Sequence, residues 1–152
     1  MSTSEKSDIF SKIALAVMAL GALALVLALT GCSSAPKQTI KIQLHSNAGT
    51  GYEWVVDGET PNTLQQTDMT VEPQGDEDLA GGPLITTYIF QGVQEGDATI
   101  SFRLEREGSP ADDDAWVTYR FAVDKDMNVT FNGSDGEYLG GDDIPTPEIY
   151  AQ

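Results

Sequence analysis

The sequence predicts an all-β fold, a β-sandwich of about seven strands, and three observations predict it. Apolar side chains occupy every second position in several stretches, which is the pattern of a strand with one buried face. Clusters of Gly, Asp and Pro interrupt these stretches roughly every ten residues, as turns do between short strands. No segment after residue 31 keeps the 3.6-residue apolar period of a helix.

Seven strands follow from this pattern in chain order. Ile40, Ile42 and Leu44 alternate in the first strand, and one face of the second carries Tyr52 and Trp54. The predicted strands lie at 40–44, 52–56, 67–71, 85–91, 98–105, 117–123 and 127–131. A tight turn at 124–126, with the sequence DKD, joins the last two. The tail from residue 132 is rich in Gly, Asp and Pro, and we expect much of it to be loosely ordered. At most a weak docking is expected of its apolar residues, which are Tyr138, Leu139, Ile144 and Ile149.

Residues 1–31 have the features of a bacterial lipoprotein signal peptide. Two lysines precede the 17-residue run Ile13–Leu29, which holds only apolar residues and one glycine and suits the apolar region of a signal peptide. The sequence LTGC then ends at Cys32 and resembles a lipobox, which implies cleavage after Gly31 and a lipid on Cys32. An uncut signal anchor is the alternative. We therefore expect an exported protein that is anchored by lipid to the extracytoplasmic face of a bacterial membrane.

Cleavage would leave 121 residues, enough for one domain of ordinary size. We divide them into a tether at 32–38, a β-sandwich domain at 39–131 and the tail at 132–152. Cys32 is the only cysteine, so the domain has no disulfide and no thiol nucleophile. The exported part carries 6 Lys and Arg against 22 Asp and Glu, which would repel nucleic acid. The same charge would steer basic proteins towards the chain, or would simply keep it soluble.

Residues of the kinds used in catalytic and metal sites do not occur in a usable pattern. His45 is the only histidine, and no serine lies in a G-x-S-x-G elbow, so a Ser/His/Asp hydrolase is not indicated. One histidine and a lipidated cysteine cannot supply the ligands of a zinc site. Asp124, Asp126 and Asn128 have the first spacings of a calcium loop, but Val129 stands where that loop requires glycine. We therefore predict no enzymatic activity, no cofactor and no metal.

Between the first two strands, the segment Ser46–Trp54 reads SNAGTGYEW. Gly49 and Gly51 leave the backbone almost bare, so the segment can enter a narrow cleft. Glycine also permits a positive φ, and the Asn47 side chain can bond to the nearby backbone, so the loop can hold a sharp and rigid shape. A simple glycine-rich connection between two strands is the alternative interpretation.

Three segments, within about residues 39–131, resemble the motifs of the chagasin family of cysteine-peptidase inhibitors. They are the loop before Trp54, the loop LAGGPL at Leu79–Leu84 and the loop before Trp116. The motifs of the family are close to N-P-T-T-G-[YF]-x-W, G-x-G-G and R-P-W. The resemblance implies an immunoglobulin-like sandwich, in which the first loop enters the active-site cleft of a papain-type peptidase and the other two grip its rims.

The resemblance assigns three inhibitory loops, and the first motif matches best. Loop 1 comprises Asn47, Ala48, Gly49, Thr50, Gly51 and Tyr52; loop 2 comprises Leu79, Ala80, Gly81 and Gly82; loop 3 comprises Asp114, Ala115 and Trp116. Leu79 replaces the first glycine of the second motif, and Asp114 and Ala115 replace the arginine and proline of the third. The lost arginine and the added negative charge imply weaker or narrower inhibition. Trp54 is expected in the core, whereas Trp116 fits either the core or a rim contact.

The function implied by the resemblance is reversible, occluding inhibition of papain-type cysteine peptidases at the bacterial cell surface, by a monomer without a cofactor. A β-sandwich adhesion or assembly module that binds a surface protein or a glycan through the same loops is the alternative. A structural lipoprotein without a ligand is the third possibility.

Overall fold

A computed structural model of the protein describes residues 37–75, 81–106 and 115–151. The expected signal peptide, Cys32 and most of the tether lie outside the described residues, as do Leu79, Ala80 and Asp114. Among the described residues no helix is both long and apolar enough to span a membrane.

The described residues form eight strands in two antiparallel sheets, which confirms the prediction of an all-β sandwich. The strands are β1 (Gln38–Asn47), β2 (Tyr52–Asp57), β3 (Leu64–Pro73), β4 (Pro83–Gly92), β5 (Gly96–Arg106), β6 (Trp116–Val123), β7 (Val129–Glu137) and β8 (Glu148–Ala151). The first sheet has the order β3-β4-β1-β8 and the second the order β2-β5-β6-β7. A short 3₁₀ turn, Ala48–Thr50, links β1 to β2 across the two sheets.

Alternation of apolar residues builds the core, as the sequence indicates. In β5, Ile100, Phe102 and Leu104 are buried, while the residues between them face outwards. Phe102 lies at the centre of an aromatic cluster, with ring centroids 4.8 Å from Tyr88 and 6.0 Å from Tyr119. Burial of each large apolar side chain contributes roughly 1.5–3 kcal/mol, so this cluster carries much of the stability of a domain without disulfides.

The sequence-based expectation for the tail is wrong at both of its ends. Residues up to 137 belong to β7, and β8 pairs with the start of β1, with Gln38 opposite Ala151. In the sequence Gly136 is typical of a loop, but in the structure it lies within β7. A Cβ atom at this position would lie 2.1 Å from the Trp116 carbonyl oxygen. Glycine is therefore required because β6 and β7 approach closely, with a register shift between Arg120 and Phe121. β8 covers the edge of the first sheet that β1 would otherwise leave open.

The turn predicted at 124–126 is confirmed, and the acidic residues in it have a structural role. The Asp124 carboxylate accepts hydrogen bonds from the backbone N–H groups of Asp126 and Asn128, each at 2.8 Å, and from the Asn128 side chain at 2.9 Å. The Asn128 side chain is the main cause that lowers the pKa of Asp124. Within the described part of the chain, no group of three or more His, Cys, Asp or Glu residues could hold a metal ion.

Candidate functional site

The described parts of the three predicted loops lie at one end of the sandwich. In the first sheet Asn47, the last residue of β1, pairs with Pro83, the first residue of β4. In the second sheet Tyr52, the first residue of β2, pairs with Arg106, the last residue of β5. β6 begins at Trp116, beside this end of β5. The strand pairing therefore brings loops 1, 2 and 3 together, although they are far apart in sequence.

Loop 1 is held by four hydrogen bonds within six residues. The backbone N–H of Gly49 donates to the Asn47 side chain at 2.9 Å, and the Thr50 hydroxyl donates to the Asn47 carbonyl at 2.7 Å. The N–H of Gly51 donates to the Ala48 carbonyl at 3.2 Å, and the N–H of Tyr52 reaches the Thr50 hydroxyl at 3.4 Å. Gly51 closes the turn in the left-handed region, at φ 68°. The loop is therefore exposed but fixed in shape.

The glycines of loop 2 brace loop 1 from the side. The N–H of Ala48 donates to the Gly82 carbonyl at 3.0 Å, and the N–H of Gly49 donates to the Gly81 carbonyl at 3.3 Å. A Cβ atom on Gly49 would lie 3.1 Å from the Gly81 oxygen, and one on Gly81 would lie 3.1 Å from the Gly49 Cα. The two loops thus form one backbone-bonded unit whose close approach favours glycine on both sides. The sequence predicts both loops but not this contact, because it joins residues that are more than thirty positions apart.

The base of loop 1 is clamped by two aromatic side chains. Trp54 is 1% exposed, which confirms its expected place in the core, and its indole N–H donates to the His45 carbonyl at 2.9 Å. The His45 N–H donates to the Tyr138 hydroxyl at 2.8 Å. The Trp54 and Tyr138 rings stack with centroids 5.6 Å apart, and burial raises the pKa of Tyr138. This clamp of Trp54 and Tyr138 provides hydrogen-bond partners for the carbonyl and the N–H of His45. His45 lies beyond the part of β1 that pairs with β8, so among the described residues no strand could provide these partners on that side.

The sequence indicates at most a weak docking of Tyr138 and does not show its contact with the residues before loop 1. Tyr138 is an aromatic residue in a stretch rich in Gly and Asp, and that contrast was the available signal. The His45 imidazole lies 3.2 Å, through Nδ1, from the Gln74 side chain. A half-buried histidine with an amide partner fits the polar role that the sequence favours for it.

The described part of loop 3 divides between the core and the surface. Ala115 is fully buried, and its carbonyl accepts a hydrogen bond from the Leu104 N–H at 3.0 Å. Trp116 is 38% exposed and lies on the outer face of the second sheet. Of the two alternatives for Trp116, the structure therefore excludes the core. On the neighbouring strands the Arg106 guanidinium lies over the Tyr52 ring, 5.2 Å from its centroid.

A cleft of about 450 Å³ opens beside loop 1. Thr50 and Tyr52 line it on the loop 1 side, and Leu104 and Leu139 contribute apolar surface. Apolar concave surfaces with a few polar groups are the usual places where proteins bind other molecules. The loop end of the sandwich therefore offers a slim projecting turn and an apolar recess next to it.

The three loops of this site fall within a known family pattern. The family model described as Chagasin family peptidase inhibitor I42 matches residues 34–123. Among solved structures, the chain is similar to a cysteine protease inhibitor from Entamoeba histolytica, with 28% sequence identity and a TM-score of 0.44. That alignment covers 54% of this chain and 75% of the other. No curated protein matches the chain.

Proposed function

The chain belongs to the chagasin family of peptidase inhibitors, since the family match at 34–123 covers more than half of its 152 residues, and from this premise we propose that it inhibits papain-type cysteine peptidases by placing loop 1 in their active-site cleft. The family consists of inhibitors and not of enzymes, which agrees with the prediction that the chain has no enzymatic activity.

The observation that carries the proposal is the shape of loop 1. Residues 48–51 are all exposed, and two of the four are glycines, so the projecting part is little wider than its backbone. Its internal bonds and its two bonds to loop 2 fix it before any partner arrives. A loop that is already ordered loses little conformational entropy on binding, so more of the contact energy contributes to affinity.

A 3₁₀ turn also accounts for occlusion without cleavage. The backbone of Ala48–Thr50 is coiled and bonded to itself, so it does not offer an extended peptide bond to a catalytic nucleophile. Cleavage would require these bonds to open inside the peptidase cleft. Inhibition by this route is reversible, because no covalent bond forms and the chain leaves unchanged.

Contacts with the peptidase rim would come from loop 3 and its neighbours. Trp116 is exposed at the loop end and can contribute a large aromatic contact of the kind that often dominates protein interfaces. Asp114 stands where the family has arginine, so we propose that inhibition is weaker or narrower than that of a chain with the full motif. The bonds of Gly81 and Gly82 to loop 1 support a bracing role for loop 2, in addition to any rim contact.

A second candidate function is a β-sandwich module that binds a surface protein or a glycan. The exposed Trp116 favours it, because exposed aromatic rings also bind sugar faces and flat protein surfaces. This function would depend on Trp116 and the acidic loops and would be indifferent to the glycines of loop 1. Loop 1 therefore decides between the two candidates.

We also propose that the inhibitor is lipid-anchored through Cys32 at the outer side of a bacterial membrane. The sequence LTGC after an apolar run supports this. Metabolic labelling with a fatty acid should mark the chain, and Cys32→Ser should abolish both the label and membrane retention. A labelled Cys32→Ser chain would refute the proposed lipid site.

The test of inhibition is a titration of papain with a soluble form of the chain that begins at Ser33, followed through hydrolysis of a fluorogenic substrate. We expect loss of activity that returns on dilution. Gly51→Trp adds a bulky side chain to the exposed turn of loop 1 and should weaken inhibition strongly. Full inhibition by Gly51→Trp would refute insertion of loop 1, and no inhibition by the folded, unaltered form would favour the binding module.

A further inference from the structure

We propose that residues 138–140, which follow β7, form a fourth contact with the peptidase, in which the Leu139 side chain packs against an apolar surface beside the active-site cleft. This inference rests on the proposed inhibition of a papain-type peptidase. It adds a contact outside residues 34–123, where the family pattern and the three loops lie.

The strand pairing places this segment at the loop end of the sandwich. Glu137, the last residue of β7, pairs with Trp116, the first residue of β6. The chain then turns across the end of the sandwich to His45, two residues before loop 1 begins. Residues 138–140 therefore lie on the same end as loops 1 and 3.

Both neighbours of Leu139 are fixed to the base of loop 1. The Tyr138 ring stacks on the buried Trp54, and its hydroxyl accepts the His45 N–H. On the other side, a Cβ atom on Gly140 would lie 2.4 Å from the His45 carbonyl oxygen and 2.3 Å from the Tyr138 hydroxyl. The backbone of Gly140 therefore packs directly on the clamp, and only glycine fits there. Leu139 is held between two anchored residues and is itself presented outwards.

The inference starts from the exposure of the Leu139 side chain. Leu139 is 62% exposed, more than any other large hydrophobic side chain of the described residues. Leu139 is not an isolated apolar side chain, because it shares the lining of the cleft beside loop 1 with Leu104 and Pro83. Contiguous exposed apolar surface is a feature of interaction sites, whereas a single exposed apolar side chain is not. Because its rotamers are few and its backbone is fixed, burial of Leu139 by a partner would cost little entropy.

Continuity with loop 1 identifies the partner. Leu139 lines the same cleft as Thr50 and Tyr52 of loop 1, together with Leu104 and Pro83. A peptidase that surrounds loop 1 must also cover this recess. Among the described residues, no Asp, Glu, Lys or Arg lines this cleft, so a charged group of the peptidase would find no partner there. An apolar side chain of the peptidase rim therefore fits it best.

The test compares two exposed apolar residues in the full chain, purified in detergent and titrated against papain. Leu139→Ser should raise the inhibition constant about tenfold, which corresponds to about 1.4 kcal/mol. Met69→Ser is the matched control, because Met69 is 48% exposed and lies on β3, away from the loops. Met69→Ser should leave inhibition within twofold, and Leu139→Met should keep most of it. Neither serine variant should change the melting temperature appreciably, because both side chains are exposed.

The outcomes separate this inference from the proposed function. If the unaltered chain inhibits papain and Leu139→Ser inhibits equally well, the fourth contact is wrong and the inhibitory loops stand. If Leu139→Ser and Met69→Ser weaken inhibition equally, the effect is general and the fourth contact is again refuted. A folded, unaltered chain that does not inhibit overturns both proposals. A faster dissociation of Leu139→Ser with little change in association supports an interaction that Leu139 makes in the bound complex.

Discussion

The left-handed turn at Gly51 offers the sharpest test of how loop 1 works. Gly51 has φ 68°, and Gly58, after β2, has φ 83°. A Cβ atom on Gly51 would meet only the Arg106 side chain at 3.7 Å, and one on Gly58 would meet nothing within 4 Å. Alanine at either position therefore introduces backbone strain without a steric clash. The two positions differ in place, since Gly58 lies at the other end of β2 from loop 1.

The magnitude of the strain follows from the backbone. A left-handed conformation costs a residue with a Cβ atom roughly 1–2 kcal/mol. The reduced freedom of alanine in the unfolded chain offsets about 0.5 kcal/mol of this. We expect Gly58→Ala to lower the free energy of unfolding by about 1 kcal/mol and the melting temperature by about 4 °C. Its inhibition of papain should not change.

Gly51→Ala should divide the same cost between stability and affinity. If residue 51 keeps its φ, the folded state bears the whole cost. If φ relaxes, the bond from its N–H to the Ala48 carbonyl, now 3.2 Å, is lost. Binding must then restore the turn, and affinity falls by up to about 1 kcal/mol, about fivefold.

The assay therefore pairs thermal denaturation with the inhibition constant towards papain, for both alanine variants. For Gly51→Ala the losses in stability and affinity should add to about 1 kcal/mol. A Gly51→Ala chain that loses neither stability nor affinity would refute the argument from the left-handed turn. Equal loss of inhibition in Gly58→Ala would show that affinity follows general stability and not the shape of loop 1.

Three further predictions concern the clamp, the core and loop 3. Tyr138→Phe removes the acceptor of the His45 N–H, and Tyr119→Phe removes a hydroxyl that donates to the Pro145 carbonyl at 3.0 Å. Each variant should lower the free energy of unfolding by about 1 kcal/mol, but only Tyr138→Phe should weaken papain inhibition. Burial, with a smaller effect of Glu53, raises the pKa of Tyr88 to about 12, so an unfolded chain ionises this tyrosine near pH 10 while the folded chain keeps it protonated. The contribution of Tyr88 to the free energy of unfolding should therefore be fully present below pH 10 and decrease between pH 10 and 12 by up to about 1.4 kcal/mol per pH unit. Denaturant titrations of Tyr88→Phe should show a smaller decrease in this pH range. Asp114→Arg restores the charge of the family motif and should lower the inhibition constant, whereas an unchanged constant would contradict the alignment of loop 3.

Local patterns were sufficient to predict most of the strands. In β5 and β6 large apolar residues occupy every second position, so only one face of each strand can be buried. That face carries Ile100, Phe102 and Tyr119. The order of the strands in each sheet depends on pairing between distant segments, and the alternation of one strand says nothing about its neighbour. For this reason β8 was not predicted, since Ile149 and Tyr150 show their strand character only when β1 lies beside them.

The same distinction applies to the site. The glycines of loop 1 could be interpreted from the sequence, because a bare backbone and a positive φ are properties of the residue itself. The bond from Ala48 to Gly82 and the bond from His45 to Tyr138 could not, since each depends on where the sheets bring two distant segments. Tyr138 and Leu139 also lie in a stretch whose Gly and Asp content is typical of loose chain. Composition describes how a segment behaves alone, and here the neighbouring sheet decides.

Loop 1 follows the last residue of β1, so the length of β1 separates loop 1 from the end of the domain at which this strand begins. β1 begins at Gln38, which pairs with Ala151 at the end of the sandwich opposite to loop 1, and runs ten residues to Asn47. At about 3.3 Å per residue the strand is a rigid rod of roughly 33 Å. The proposed lipid on Cys32 would join the chain before β1, so the length of this strand separates loop 1 from the end of the domain that follows the anchor in sequence. A peptidase would then have to reach the end of the sandwich opposite to the one at which the anchored segment enters it.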